Sequence, residues 1–520
     1  MLRVFQHDIH DPDCFVVTLE LVPGRVSLGR SVDRILAIAK DAFTDGRISA
    51  VSITDNPGGN PSLSPDVLGH DIFDLGMDVI VHFTCRDTNR IGLESRALQL
   101  SRMGMKNILV LTGDYPGKGF GGRGAPVYDL DSVNLTCMLT MLSRRLYESG
   151  DPDGFFTGCA VSPFKATEGE CFAQYSKLCR KVNAGASFII TQLGYDSLKY
   201  EELIRITKNM KMKKDIPVFG SVFLLSPKAA GAMNKGLVPG AVVADHLFNQ
   251  VQSEWKDKKQ GLKLAVERTA RLAITLKNLG YRGVHIGGVH RSYKTVGRIL
   301  DRMDEIEKSG DYIFDDFSSQ GLKSYYAFSD NSRQEPFQHS RQKFPGLKNP
   351  GFCFFKKMHD IFFTFDSPVA PLCRIAAEWI DKKHLGRWLR ILLEDPLKGL
   401  LLSCQKCGDC GIQHLAFQCP ESGCPKHTRN GACGGSTNGM CEVFSERKCV
   451  WGKAYQRLAS VGLTDVMANE CISPRMWELD HTSSWLNFHL RRDHQSKSSD
   501  LIKSCSSDVC RFDAGIFRKK

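Results

Sequence analysis

The sequence lacks any long hydrophobic run, and this absence limits the class of protein it can encode. It has 520 residues, of which 42% are hydrophobic and 24% charged, an ordinary composition for a globular protein of two or three domains. No apolar stretch reaches the roughly 20 residues that a membrane-spanning helix needs. The first residues, MLRVFQHDIHDPD, contain no apolar core of a secretory signal. We therefore expect a cytoplasmic protein with no membrane span.

Nucleic-acid-binding motifs are also missing, although the formal net charge is +12. The basic residues are scattered, as in KNMKMKK and LRRDH, and aromatic residues do not alternate with them. Net charge alone does not define a binding site. The sequence therefore indicates a basic surface without a nucleic-acid partner. Such a surface would also suit an anionic cofactor or a substrate with a polyanionic tail.

Through about residue 310, short β-rich runs alternate with amphipathic helical stretches. Continuous apolar runs separated by helical spacing indicate a parallel sheet. Eight such units fit a closed α/β barrel, the (β/α)8 or TIM type. A doubly wound open sheet would also explain the alternation, but it gives no reason for eight repeats. The runs are FVVTLELVP (15–23), ISAVSITDN (48–56), DVIVHFTCRD (78–87), NILVLTGD (107–114), FFTGCAVSP (155–163), SFIITQLGY (187–195), IPVFGSVFLL (216–225) and GVHIGGVHR (283–291).

Polar side chains stand at the carboxyl ends of these runs. In NILVLTGD, for example, an apolar strand leads directly into Asp114. The carboxyl ends of barrel strands meet at one rim, where active sites of this fold lie. A single residue of this kind could equally be a cap or loop residue, but seven strands follow the pattern. The predicted rim residues are Glu20, Thr54, Asp55, His82, Thr84, Asp114, Ser162, Gln192 and Arg291.

These strand ends resemble those of the methylenetetrahydrofolate reductases, which are flavin-dependent α/β barrels. The resemblance spans roughly residues 14 to 295. Its motifs are LELVPG, VHFTC, LTGD, VYDLDSV, RKVNAGASFIITQ and VHRS. The resemblance implies reduction of 5,10-methylenetetrahydrofolate to 5-methyltetrahydrofolate, a step of one-carbon metabolism and methionine biosynthesis.

The resemblance also implies roles for single residues. Glu20 would be the catalytic acid, and Asp114 would lie beside the pterin and the flavin. Gln192 and Arg291 would contact the folate substrate. The implied flavin-binding residues are Thr54, His82, Thr84, Thr112, Gly113, Tyr128 and Lys181, the last through the flavin phosphate.

The reaction itself requires such residue types. Opening the methylene bridge of the folate needs a proton donor for the departing nitrogen, and a carboxylic acid with a raised pKa can supply it. Glu20 stands in an apolar run between Leu19 and Leu21, where desolvation would raise its pKa. A carboxylate at Asp114 would stabilise the positive charge that develops on the folate.

Three features depart from the family pattern, and the first is LELVPG in place of the family's aromatic-rich FEFFPP. Thr112 stands where the family often has arginine before Gly-Asp. The residues that hold the adenine-dinucleotide part of the flavin are replaced around Gln174 and Lys177. The flavin can therefore be FAD or FMN.

Cysteines are concentrated late in the chain, where eight of the 19 fall within residues 404–449. In a reducing compartment this density indicates a metal site rather than disulfides. The CQKCGDC stretch is close to an iron–sulfur pattern, and C-x2-C pairs also suit tetrahedral zinc. The sequence predicts a 4Fe-4S cluster, zinc, or one of each. The candidate metal ligands are Cys404, Cys407, Cys410, Cys419, Cys424, Cys433, Cys441 and Cys449.

This cysteine-rich region resembles the C-terminal domain of the same reductase family, which in some anaerobes is a separate metal-binding subunit. Zinc would imply a structural clamp and reduction by NAD(P)H, whereas a cluster would imply a ferredoxin-like electron donor. Two other functions stay open: a pterin- or corrinoid-dependent methyltransferase on the same barrel, and a non-catalytic electron-transfer or binding subunit. A homo-oligomer is a further expectation.

The predicted organisation has four parts. A flavin-dependent barrel occupies residues 1–310, and a polar, turn-rich linker or irregular segment occupies 311–370. A helical lead-in and the small cysteine-rich metal-binding domain follow at 371–460. The rest, 461–520, is predicted to be a partly disordered extension because of its Ser- and Lys-rich end.

Overall fold

A computed structural model of the chain describes residues 4–210, 215–289, 291–310, 324–328, 350–467 and 471–496. Within these ranges, no helix combines the length and the apolar character needed to cross a membrane.

Eight parallel strands close into a barrel, and neighbouring strands follow chain order around it. The first strand lies between the second and the eighth, with Leu19 opposite Val51 on one side and Ile286 on the other. Both predictions, the TIM-type barrel and its eight repeats, are confirmed, and the open sheet is wrong. The strands are Val16–Leu21, Ala50–Ile53, Val79–Thr84, Asn107–Leu111, Phe156–Val161, Phe188–Thr191, Val218–Phe223 and Gly283–Gly287.

The amino-terminal helix closes the lower end of the barrel. Phe5 is fully buried there in a cluster with Val16 and Phe188, which begin their strands. The Phe5 and Phe188 rings meet edge to face with centroids 5.4 Å apart. Among the described residues, apolar side chains fill this end, which leaves the carboxyl rim as the open end of the barrel.

Helices cover the outer surface of the barrel. Many are capped by a side-chain oxygen, as at Asp131, whose carboxylate accepts from the backbone N–H groups of Val133 and Asn134. A short hairpin, Lys118–Gly119 with Gly122–Arg123, follows the fourth strand. The helices of the barrel region are Val4–His10, Arg30–Asp45, Pro65–Asp74, Arg90–Arg102, Ser132–Glu148, Glu168–Asn183, Ser197–Asn209, Pro227–Asn234, Asp245–Glu254, Lys258–Asn278 and Tyr293–Ser309, with a 3-10 turn at Pro57–Gly59.

The C-terminal region packs against the barrel and shares its hydrophobic core. The Tyr455 ring lies 4.8 Å from that of Phe172, and its hydroxyl donates to Glu168 Oε1 at 2.8 Å. Trp451 is fully buried, and its indole N–H donates to Thr428 Oγ1 at 3.1 Å. The helices here are Pro350–Phe362, Ala370–Lys382, Gly386–Leu389, the π-helical turn Arg390–Glu394, Asp395–Leu402, Pro420–Gly423, Val450–Ser460 and Ser484–His489, with 3-10 turns at Ile412–Leu415, Thr464–Met467 and Trp477–Leu479.

Helical structure extends into segments for which the sequence predicts little order. The helix Pro350–Phe362 lies within the predicted irregular segment, and Phe352 and Phe355 pack against Phe417. The helix Ser484–His489 lies in the predicted extension and buries Phe488. Tertiary contacts with distant aromatic side chains hold both helices. Residues 311–323, 329–349 and 497–520 lie outside the described residues.

The stretch 386–402 has the reverse of the usual amphipathic arrangement. Four of its charged side chains, Arg390, Glu394, Asp395 and Lys398, are partly buried against the protein. Glu394 accepts from the backbone N–H and the hydroxyl of Ser484, and Lys398 donates to Glu394 at 2.8 Å. Its apolar side chains face outward, and Leu400 is 87% exposed. The outward set is Trp388, Ile391, Leu392, Leu393, Leu397, Leu400 and Leu401. Apolar faces of this kind mark interaction surfaces.

Candidate functional site

A pocket of about 300 Å³ opens at the carboxyl rim of the barrel. Each of the eight strands contributes at least one side chain from its carboxyl-terminal half or the residues just beyond it. The convergence expected at the rim of a barrel is therefore present. The sequence-predicted residues that line the pocket are Glu20, Thr54, Asp55, His82, Thr84, Thr112, Gly113, Asp114, Ser162, Lys181 and Gln192.

Glu20 lies one residue before the end of the first strand and is half-buried. Withdrawal from water raises the pKa of its carboxyl to about 7. Gly287, on the neighbouring eighth strand, leaves room for it, since a Cβ there would lie 3.1 Å from Glu20 Oε2. With this pKa the carboxyl carries a proton in a large fraction of molecules near neutral pH, so it can act as a proton donor.

Asp114 stands on a tight turn after the fourth strand. Gly113 takes a φ of +88°, and a Cβ there would lie 3.1 Å from the Thr84 Cβ, so both backbone and space favour glycine. The Asp114 carboxylate accepts from the Gly58 N–H at 2.9 Å. Tyr128, outside the pocket lining, donates its hydroxyl to the Asp114 carbonyl at 2.6 Å. These contacts fix the orientation of the carboxylate.

Two buried polar atoms at the rim lack a hydrogen-bond partner among the described residues. They are Thr54 Oγ1 and His82 Nε2, and both residues line the pocket. Burial lowers the pKa of His82 to about 4, so its ring is neutral near pH 7. Leaving a buried polar group unpaired costs about 1–3 kcal/mol. The two atoms are placed to bind a polar ligand that enters the pocket.

Lys181 and Gln192 reach the pocket from the opposite wall. Lys181 donates to the Ala160 carbonyl at 2.6 Å, and burial lowers its pKa to about 8. An ammonium has three N–H donors, so others remain for an anion. The Gln192 amide donates to the Pro239 carbonyl at 2.9 Å and accepts from the Leu193 N–H at 2.9 Å. Backbone groups therefore hold both the nitrogen and the oxygen of the Gln192 side-chain amide.

Arg291 does not reach the pocket. It follows the eighth strand and is exposed to solvent. Arg86 lines the pocket instead; its side chain is 1% exposed and donates to Asp87 at 2.7 Å. Arg86 directly follows the VHFTC motif, which is a signal that sequence reasoning missed. His285, inside the eighth strand, also lines the pocket and was not predicted.

The C-terminal region supplies one side of the same pocket. Backbone of the segment 429–435 crosses the rim, where Asp131 accepts from the N–H groups of Arg429 and Asn430 at 3.1 and 2.8 Å. Gln174 donates to the Ala432 carbonyl at 3.2 Å, and Lys177 donates to the Gly431 carbonyl at 3.2 Å. The lining residues from this region are Lys426, Cys433, Gly434, Gly435 and Glu442.

The first four cysteines of the cysteine-rich region line one small cavity of about 30 Å³; they are Cys404, Cys407, Cys410 and Cys419. Asp409 lies between two of them in sequence and accepts from Arg429 at 2.9 Å. Among the residues that the structure describes, no three or more His, Cys, Asp or Glu side chains are arranged to hold a metal ion. Cys433 lies apart, at the barrel pocket, and its thiol donates to Glu442 at 3.5 Å.

Comparison with known proteins adds two family matches. The family described as methylenetetrahydrofolate reductase matches residues 6–304. The family described as methylene-tetrahydrofolate reductase C terminal matches residues 389–478. The chain is 24% identical over 246 residues to a probable methylenetetrahydrofolate reductase (NADPH) of Caenorhabditis elegans, a match that covers 46% of this chain. The chain spans about a third (34%) of the length of that relative.

Two solved structures are similar to part of the chain. One is an uncharacterised Clostridium thermocellum protein that binds two copies of 5-methyl-5,6,7,8-tetrahydrofolic acid; the TM-score is 0.41 at 13% identity, covering 59% of this chain and 99% of that one. The other is 2,3-dimethylmalate lyase, a member of the PEP mutase/isocitrate lyase superfamily; the TM-score is 0.34 at 12% identity, covering 60% of this chain and 88% of that one.

Proposed function

This chain belongs to the methylenetetrahydrofolate reductase family, and we propose that it reduces 5,10-methylenetetrahydrofolate to 5-methyltetrahydrofolate with a bound flavin. The observation that carries the proposal is the pairing of two carboxyl groups at one pocket. Glu20 has a raised pKa and Asp114 is held by hydrogen bonds, so the two are suited to different tasks. The product would serve one-carbon metabolism and methionine biosynthesis.

Each side chain has a defined task in this proposal. Glu20 gives its proton to the folate nitrogen that leaves the methylene carbon. The negative charge of Asp114 stabilises the cationic folate that results, and the Gln192 amide contacts the pterin edge. The bound flavin supplies the hydride. A separation of acid and charge-stabilising roles between two carboxyl groups follows from their different environments.

The rim residues fit a flavin. Thr54 Oγ1 and His82 Nε2 offer unpaired polar atoms to its ring, and Lys181 offers a positive charge to its phosphate. We favour FMN over FAD. Gln174 and Lys177 stand where the family holds the adenine-dinucleotide part, and here they bind the chain's own backbone at 431–432.

The test is a pair of half-reactions on protein purified without oxygen. The flavin is extracted and identified, and the reduced protein is then mixed with methylenetetrahydrofolate. We expect FMN and rapid flavin reoxidation with formation of 5-methyltetrahydrofolate. A protein that binds no flavin but transfers a methyl group would instead be a methyltransferase. A flavin that folate does not reoxidise would support a non-catalytic electron-transfer or binding subunit.

The electron donor depends on the metal content of the cysteine-rich region. Cys404, Cys407, Cys410 and Cys419 share one cavity, which supports a metal centre held by these thiolates. An iron–sulfur cluster there would accept electrons from a ferredoxin-like protein. Zinc would leave NAD(P)H as the direct donor to the flavin. The remaining thiols, Cys424, Cys433, Cys441 and Cys449, are proposed for a second, structural site.

The variant Asp114→Asn should weaken folate binding by about tenfold, because a hydrogen-bonded carboxylate facing a cationic ligand contributes about 1.5–3 kcal/mol. It should also raise the flavin midpoint potential, because loss of a negative charge favours the electron-rich reduced flavin. Spectroscopic redox titration and folate titration measure both effects. Asp71→Asn, at an exposed position, is the control. Unchanged potential and unchanged folate affinity would remove Asp114 from the site.

We also propose that the chain forms a homo-oligomer through the outward face of 386–402. Seven large apolar side chains of this stretch are exposed, and contiguous exposed apolar patches mark interaction surfaces. Light scattering should give a mass above that of one chain, and Leu392→Glu with Leu400→Glu should lower it to the monomer mass. Leu237→Glu, at another exposed leucine, should not. A monomeric parent protein would contradict the proposal.

A further inference from the structure

We propose that the C-terminal region completes the barrel site through Lys426, a positioning residue that fixes the Gly113–Asp114 turn and places a positive charge, paired by Glu442, at the edge of the pocket. The inference rests on the proposed function, since it concerns the same pocket. It goes beyond that function because it makes the cysteine-rich region part of the flavin site rather than a separate module.

Lys426 contacts the barrel at the residue before Asp114. Its side chain is 3% exposed, and its ammonium donates to the Gly113 carbonyl at 2.7 Å. The ammonium also lies 6.0 Å from the centre of the Tyr128 ring. A residue more than 300 positions later in the chain therefore holds the turn that carries a proposed active-site carboxylate.

The Lys426 charge is paired within the pocket by Glu442. The two side chains form a buried ion pair, and Glu442 is 8% exposed. Gly435 makes room for it, because a Cβ there would collide with the Glu442 carboxylate at 1.1 Å. A buried ion pair is often no more stable than an apolar pair of similar size. Stability alone therefore does not explain two charges at the edge of a ligand pocket.

The contacts of Lys426 and Tyr128 are complementary. Lys426 holds the carbonyl of Gly113, and the Tyr128 hydroxyl holds the carbonyl of Asp114 at 2.6 Å. Two successive carbonyl groups of the barrel are thus held, one by a residue of the C-terminal region and the other by a residue of the barrel. With both carbonyls held, the Asp114 carboxylate keeps the direction set by the Gly58 N–H.

The charges of the pair have opposite effects on a flavin in the pocket. The ammonium of Lys426 favours the electron-rich reduced flavin, whereas the carboxylate of Glu442 disfavours it. Replacing either residue with a neutral one should shift the flavin midpoint potential, and the two shifts should have opposite signs. A purely structural role for the pair would not produce this reversal of sign.

The experiment uses the full chain loaded with flavin and compares four variants. We expect Lys426→Met to lower the flavin midpoint potential, because the pocket loses a positive charge that favours the reduced flavin. Glu442→Gln should raise the potential, and Lys426→Arg should leave it close to that of the parent. Lys453→Met, at an exposed lysine of the same region, is the control.

The outcomes separate this inference from the proposed function. Equal potentials in the parent, Lys426→Met and Glu442→Gln, in a protein that reduces folate, would overturn the role of Lys426 alone. Shifts of the same sign in both variants would also overturn it. If circular dichroism shows that Lys426→Met does not fold, the two other variants still test the proposal. It then requires a raised midpoint potential in Glu442→Gln and a potential close to that of the parent in Lys426→Arg. If the parent protein binds flavin but reduces no folate, the proposed function is wrong. The midpoint potentials of the variants would still test the role of Lys426.

Discussion

The variant Glu20→Gln should reduce folate about 10²–10⁴-fold more slowly than the parent protein, the usual cost of losing a general acid. The amide has nearly the same shape as the carboxyl, but it cannot donate the proton that opens the methylene bridge. Flavin binding and flavin reduction by the electron donor should not change. Stopped-flow measurement of the two half-reactions separates these steps. A normal rate of flavin reoxidation by folate in this variant would show that Glu20 is not the acid.

The pH dependence of the parent protein gives an independent check on Glu20. Its pKa is raised to about 7 by burial, and only the protonated form can donate. The rate of folate reduction should therefore be high below pH 7 and should fall as the pH rises through about 7. In Glu20→Gln the remaining rate should lose this titration. If the variant keeps the same fall in rate, another group is responsible for it.

The barrel and most of its rim could be predicted from the sequence because both depend on local patterns. Each apolar run is a strand, and a side chain at the carboxyl end of a parallel strand can only lie at the rim. The turn at Gly113 and Asp114 is one of the features that such a local pattern predicts. Nothing beyond strand order and the closure of the barrel was needed to bring Glu20 and Asp114 to one pocket.

Arg291 marks the limit of that reasoning. Strand ends define the rim, but residues beyond a strand belong to a loop whose direction depends on its neighbours. The eighth strand ends at Gly287, and four residues later the chain has left the pocket, so that Arg291 points to solvent. Arg86 lies only two residues after its strand and stays in the pocket.

The position of Lys426 and Glu442 at the barrel pocket could not be predicted, because no local sequence pattern indicates that this part of the chain contacts the barrel. Their place depends on how the C-terminal region docks, which is determined by contacts such as those of Asp131 with Arg429 and Asn430. The sequence did give an indirect signal at Gln174. That residue departs from the flavin-binding pattern of the family, and it hydrogen-bonds the docked segment at Ala432.

Removal of the Cys407 thiol should abolish the binding of a metal centre in the cysteine-rich region. We expect the parent protein, purified without oxygen, to contain about four iron atoms and four acid-labile sulfides per chain, with Cys404, Cys407, Cys410 and Cys419 as ligands. The motive is that these four residues line one cavity. Cys407→Ala should lose the iron and sulfide. Cys353→Ala, at an exposed cysteine outside the cavity, should retain them.

Zinc analysis on the same samples decides the electron donor. Iron and sulfide that depend on Cys407, together with flavin reduction by a ferredoxin-like protein, would make the cavity an entry point for electrons. Zinc without iron or sulfide would reject the cluster and this entry point, and it would leave NAD(P)H as the donor and the metal as a structural clamp. Because Cys433 lies at the barrel pocket, zinc bound by the later cysteines would also hold the wall that carries Lys426 and Glu442. Chelation of that zinc should then weaken flavin binding, whereas tight flavin binding after complete metal removal would show that the wall is stable without it.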